Sequence, residues 1–168
     1  MLNIRSLVIA ISLALWAVPS ARADDGALVT FKALKLEVAL ELAQAALTEC
    51  RKQGYQVAVA VVDRFGNQQV ALRDRFAGPH TPETARRKAW TAVSFRTNTV
   101  EMEKLTAAGQ PQSGVRFVPG ALMIGGGVPI EASGSLVGAV GVSGAPGGEA
   151  DQACGIKGIE AIEDKLAF

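Results

Sequence analysis

The chain carries one histidine, His80, and two cysteines, Cys50 and Cys154, among 168 residues. A single imidazole excludes a multi-histidine metal centre. Aromatic residues make up only 5% of the sequence and the formal net charge is +1. Neither a base-stacking surface nor a polycationic groove is on offer, so nucleic acid is not an expected partner. There is no Gly-x-x-x-x-Gly-Lys-Ser/Thr loop, and Gly125-Gly126-Gly127 therefore does not read as a nucleotide cradle. No Gly-x-Ser-x-Gly elbow supports a serine nucleophile paired with His80. No spacing singles out a pair of carboxylates, and spacing alone gives catalysis no support.

Long apolar runs are equally scarce. The one present covers residues 7–18, broken only by Ser12. It follows a short segment with a single positive charge, Arg5, and precedes Pro19-Ser20-Ala21-Arg22-Ala23, which sets small residues at −3 and −1 of a cut before Asp24. This is the three-part pattern of a secretory signal peptide, and the run is too short to span a bilayer comfortably. An N-terminal membrane anchor is the alternative. The expectation is a signal peptide over 1–23, one domain over 24–168, a periplasmic or secreted location and no stable membrane span after processing. Removing Arg5 and Arg22 leaves 15 basic residues against 16 acidic ones, a nearly neutral mature chain.

What is present is enough apolar material, 49% of residues, to build one core. Residues 30–53 read as a helix, with Leu36, Leu40, Ala43, Leu47 and Cys50 spaced to face inward and Gly54 as its C-terminal cap. Residues 57–63 are a β-branched run suited to a strand buried on both faces. A turn at Arg64-Phe65-Gly66-Asn67 leads to a second strand over 68–74. Thr81 then reads as the N-cap, with Pro82 at the first position, of a helix reaching about residue 97. Thr99 reads as the cap of a third helix ending at Gly109. From 109 to 148 the chain holds 12 of its 18 glycines, with short apolar stretches at 121–124, 128–132 and 136–142 taken as three strands. Ser133-Gly134-Ser135 is a tight hairpin turn between the last two. Residues 149–166 form the closing helix, where Cys154, Gly158 and Ala161 make a small-residue strip that admits another helix. The expected fold class is α+β: an α/β/α layered single domain with a five-stranded, mainly antiparallel sheet, in the order α-β-β-α-α-β-β-β-α.

In an exported chain two cysteines with no competitor read as a disulfide, Cys50 to Cys154, although two inert thiols or a redox-sensing pair fit the same count. The loop opening the last helix could hold an anion on its backbone N–H groups, but Glu149 and Asp151 already complement that helix end.

Chemistry converges on the second helix. His80 stands at its start, exposed by Gly78-Pro79, and Thr84, Lys88, Thr91 and Phe95 form one stripe. Arg86, Arg87 and Trp90 flank it. A lone histidine can ligate a metal already held by a macrocycle, with Lys and Arg pairing carboxylates and Trp90, Phe95 or Phe76 lining the ring. A loop histidine and a solvated basic face, with Glu83 pairing Arg87, is the plainer reading of the same residues.

Five stretches, in order along the chain, carry a family resemblance: residues 57–67 (Val57-Ala58-Val59-Ala60-Val61-Val62-Asp63-Arg64-Phe65-Gly66-Asn67), Ala77-Gly78-Pro79-His80-Thr81, Ala85-Arg86-Arg87-Lys88-Ala89-Trp90-Thr91-Ala92, Gly125-Gly126-Gly127-Val128-Pro129-Ile130, and Val137-Gly138-Ala139-Val140-Gly141-Val142-Ser143-Gly144. They resemble the haem-binding family of GlcG and HbpS, also called the haem-degrading domain (DUF336), whose fold recurs in the C-terminal domain of PduO. The resemblance implies an α/β/α domain with a five-stranded antiparallel sheet, homo-oligomers, and haem as a possible cofactor. It implies a pocket between the second helix and the glycine-rich strands, lined by Lys88, Thr91, Gly126 and Gly127. His80 would then be the candidate ligand of haem iron, with Thr81 or Thr84 as alternative oxygen ligands. The function expected is an exported haem (tetrapyrrole) carrier or sensor. The alternative is an enzyme acting on a small oxidised metabolite or organic acid, with Lys88 as base or anion clamp.

Overall fold

In the computed structural model, which describes residues 26–167, the elements run α1 (Leu36–Lys52), β1 (Ala58–Asp63), β2 (Gln68–Arg73), α2 (Thr81–Phe95), α3 (Thr99–Leu105), a 3-10 turn (Ser113–Phe117), β3 (Gly127–Ala132), β4 (Ser135–Ser143), α4 (Gly148–Glu160) and a short α5 (Glu163–Leu166). The expected signal peptide over 1–23 and its cut before Asp24 lie outside the described residues. Residues 26–31 belong to a separate unit, a turn followed by exposed extended chain, and the layered domain begins at Lys32.

The sheet is antiparallel throughout, in the order β2-β1-β4-β3. It has four strands, not five. The expected strand at 121–124 is apolar enough, but its backbone groups are taken by side chains of α2. Leu122 N–H donates to Thr91 Oγ1 at 2.8 Å, and the Arg87 guanidinium donates to the carbonyls of Ala121 and Gly120 at 2.7 and 3.3 Å. With its backbone partners supplied by a helix, the segment has no ladder to join.

β1 sits inside the sheet and is buried on both faces, as its β-branched run requires. Alternation sends Val57, Val59 and Val61 into a core with Leu42, Ala46 and Ile162, on the side covered by α1 and α4. The other side carries Ala58 and Ala60 against Ala85, and Val62 against Ala89, Ala92 and Val93 of α2. The α/β/α layering therefore holds.

Cys50 and Cys154 are joined as a disulfide, Cα to Cα 5.5 Å, 104 residues apart. In the chain-entropy picture a loop of that length contributes about 4–5 kcal/mol. Gly158 lets α4 cross α1 closely, since a Cβ there would lie 2.8 Å from the Leu42 carbonyl oxygen. Ala161 of the same strip is exposed and takes no part.

Several element ends differ from expectation. α1 starts at Leu36, not residue 30, and the closing helix breaks into α4 and α5 at residues 161–162. His80, not Thr81, occupies the N-cap position of α2, and the Thr81 hydroxyl donates back to Gly78 O at 2.8 Å. α3 ends at Leu105, and Thr99 does not cap it; its hydroxyl accepts the Gly127 N–H at 2.7 Å and ties α3 to β3. The β3–β4 turn places Ser133 and Gly134 at φ 47° and 74°, the pair of left-handed residues a two-residue hairpin needs.

Candidate functional site

A cavity of about 680 Å³ opens where the N-terminal half of α2 faces the β4–α4 loop. Residues 54–56, Phe76, Gly78, Ile124, the 143–148 segment and Asp151 surround it, together with His80, Thr81, Thr84 and Lys88 of α2. Spacing of four on the helix lines up His80, Thr84 and Lys88 from mouth to floor.

The floor is charged and buried. Lys88 and Asp151 are 2% and 3% exposed, and Lys88 Nζ donates to Asp151 Oδ2 at 2.8 Å and to Val142 O at 3.0 Å. Asp151 Oδ1 accepts the Ala145 N–H at 2.9 Å, which pins the β4–α4 loop. Burial raises the Asp151 carboxyl above its ordinary value, and the pull of Lys88 and of the Ala145 and Gly144 backbone offsets this only in part. Behind the pair stands Gly126 at φ +119°, where a Cβ would come within 2.7 Å of Val142 O and 3.0 Å of Lys88 Nζ. Only glycine fits there.

The mouth is apolar and open. Phe76 is 79% exposed, with the Arg75 guanidinium 6.0 Å from its ring centroid, and Tyr55 and Ile124 lie on the same rim. His80 is exposed, its ring folded against Gly78, where a Cβ would sit 2.8 Å from the imidazole Cε1. The helix start fixes its backbone, since His80 O accepts both the Thr84 N–H and the Thr84 hydroxyl at 3.1 and 3.0 Å.

Four of the expected site residues, His80, Thr81, Thr84 and Lys88, thus meet at one cavity. Thr91, Gly126 and Gly127 do not line it. Thr91 is fully buried, bonded to Arg87 O and Leu122 N–H, and the two glycines pack behind Lys88. Trp90 and Phe95 are not rim residues either; they cover a small cluster with Met102, Ala121 and Met123. Glu83 pairs with Arg86, through two bonds of 2.8 Å, in place of the expected partner Arg87. Asp151, expected only to complement a helix end, is turned inward to the lysine. A lysine on an inward stripe demands a buried counter-charge, a signal that could have prompted a search for an acid elsewhere in the chain. Among the described residues no cluster of His, Cys, Asp and Glu could hold a bare metal ion, and no helix is long and apolar enough to cross a membrane.

The fold is a four-stranded antiparallel sheet between helical layers, with an amphiphilic cavity at the start of α2. The chain belongs to the haem degrading protein HbpS-like family, whose model matches residues 34–160. It is similar to HbpS from Streptomyces reticuli, solved as a double mutant, at 40% identity and TM-score 0.78 over 88% of this chain and 98% of that one. It is also similar to PduOC, solved as a haem complex, at 30% identity and TM-score 0.73 over 78% and 96% of the two chains. The corrinoid adenosyltransferase PduO of Salmonella typhimurium is 32% identical over 106 residues, 62% of this chain. The chain spans about a third of the length of the PduO relatives it matches, 32% of each.

Proposed function

We propose that the protein binds haem at this cavity as an exported carrier or sensor, with His80 as the axial ligand. The observation that carries the reading is the placement of the chain's one imidazole on an apolar rim, beside the open Phe76 face, above a cavity of about 680 Å³. That volume lies within the roughly 300–1,000 Å³ of small-molecule pockets. A planar macrocycle fits such a rim: Phe76 and Ile124 offer apolar contact and His80 a nitrogen donor, while Arg75 supplies nearby positive charge. Bound haem would supply redox chemistry at its iron, which His80 would hold through its imidazole. The chain's own residues hold the ligand in place, shield one face and set the imidazole. The family membership and the haem complex of PduOC support the same ligand.

Export, and with it a periplasmic or secreted location, is part of the proposal and is supported by the pattern of residues 1–23 and by the disulfide. A homo-oligomer is likewise proposed, for which sedimentation gives the test. Use of Lys88 as a catalytic base has less support, because its ammonium is already engaged by Asp151 and Val142 O.

The experiment is a haemin titration of the purified protein followed at the Soret band. A saturable shift at about one haemin per chain, lost in His80→Ala, is expected. A weak, non-saturating change overturns the reading, and a saturable shift retained in His80→Ala transfers the ligand role to Thr81 or Thr84.

A further inference from the structure

We propose that the inner end of the cavity is a carboxylate-binding subsite, formed by Lys88, Ser143 and the first turn of α4, and distinct from the His80 rim. It rests on the cavity being the ligand site, and it names the group of the ligand that enters first.

Three sets of donors meet there with nothing to donate to. An ammonium has three N–H bonds, and Lys88 uses two, on Asp151 and Val142 O. The remaining one belongs to a side chain that lines the cavity. Ser143 ends β4, is 4% exposed and lines the same cavity, and its hydroxyl has no hydrogen-bond partner among the described residues. Among the described residues the buried side-chain polar atoms without a partner are Gln69 Oε1 and Gln152 Oε1, so the Ser143 hydroxyl is reached from the cavity and is available to a ligand. α4, a helix of 13 residues, begins at Gly147-Gly148 on the cavity wall, with no side chain capping its N-terminus. Its free N–H groups and its dipole favour an anion.

Asp151 does not defeat this arrangement. Its Oδ1 is held by the Ala145 N–H and its Oδ2 by Lys88, so each oxygen is engaged in positioning the loop or the ammonium. The pair is neutral as a unit, while the unspent donors face the cavity. A carboxylate matches the set: two oxygens, planar and able to take several donors at once. It could arrive as the propionate of a tetrapyrrole or as a free small organic acid.

The test compares haemin with haemin dimethyl ester on the full protein, by Soret titration, in wild type, Ser143→Ala and the double variant Lys88→Met/Asp151→Asn. The double change leaves no lone buried charge. Wild type should bind the diacid about tenfold tighter than the ester, the strength of one charge-assisted bond. Each variant should narrow that gap. Equal affinity of diacid and ester for wild type, or a gap that survives in both variants, overturns the subsite while leaving haem binding in place. Should neither tetrapyrrole bind, the haem reading fails on its own and acetate and succinate decide the subsite. A rise in wild-type melting temperature that Ser143→Ala lacks supports it, and no rise overturns it.

Discussion

The two faces of the sheet are built on opposite principles. The face under α1 and α4 is packed with large side chains, Leu42, Ile130, Val140 and Ile162 among them, and is closed by the Cys50–Cys154 bridge. The face under α2 is packed mostly with small side chains: apart from Val62 and Val93, alanines and glycines bring helix backbone close onto strand backbone, and the polar groups Thr81, Lys88, Thr91 and Thr99 are buried there. One face carries the apolar area that stabilises the fold. The other gives up apolar area for closeness, and the closeness brings Lys88 to Asp151 and shapes the cavity. The large-side-chain core and the close-packed α2 helix thus lie on opposite sides of one layer of strands.

Breaking the close contact should have the largest effect. A Cβ at Gly141 would lie 2.0 Å from the Ala85 carbonyl oxygen, a backbone atom that cannot swing aside. Gly141→Ala should destabilise by about 3 kcal/mol or more, or prevent folding, as read by urea unfolding. Next comes the bridge of the other face. Cys50→Ala/Cys154→Ala should lower stability by about 2–5 kcal/mol, measured the same way, while leaving haemin affinity within twofold or so, since neither sulfur touches the cavity.

Acid should act on the α2 face in the reverse of its usual sense. Asp151 is raised above the ordinary carboxylate value of 3.8, so between 3.8 and its folded value the native state keeps a proton that the unfolded chain has lost. Its contribution therefore falls as pH rises through that window. Asp63, in the β1–β2 turn, is the contrast. Slight burial opposes ionisation there, but the Asn67 amide and the Asn67 and Phe65 N–H groups outweigh it and hold the carboxyl below 3.8. That contribution is present above 3.8 and is lost as pH falls. Across about pH 3 to 6, the destabilisation by Asp63→Asn should shrink on acidification and that by Asp151→Asn should shrink on alkalinisation. Parallel trends in urea unfolding would contradict the assignment. The smallest effect belongs to Gly155 of α4, where a Cβ would meet valine methyls at 3.4–3.7 Å, ordinary contact distances. Gly155→Ala should change stability by less than about 1 kcal/mol, in the stabilising direction, because alanine suits a helix interior better; a melting curve suffices to check it.

Legibility in the sequence followed the same division. The valine run of β1, the Asn67 turn, Thr81-Pro82 and the Ser133-Gly134 hairpin are local signals and located their elements to within a few residues. The strand expected at 121–124 failed because its fate is decided by Thr91 and Arg87, some thirty residues earlier in the chain. In the site, His80, Thr81, Thr84 and Lys88 were readable because one helix carries them. Asp151 and Ser143 were not, because only the folding of β4 and α4 against α2 brings them to Lys88. Thr91, Gly126 and Gly127 lie near the site in sequence motif but serve packing, holding the 121–127 segment on α2.

The most direct test of the separation is a Soret titration with haemin on three proteins: wild type, His80→Ala from the mouth of the cavity, and Ile162→Val from the opposite face. Ile162→Val should lose about 1 kcal/mol of stability and bind haemin as wild type does. His80→Ala, altering an exposed side chain, should melt as wild type does and lose haemin affinity by tenfold or more. Haemin affinity that falls in Ile162→Val as far as in His80→Ala would contradict the account, whereas binding that survives in His80→Ala would transfer the ligand role to Thr81 or Thr84 of the same cavity.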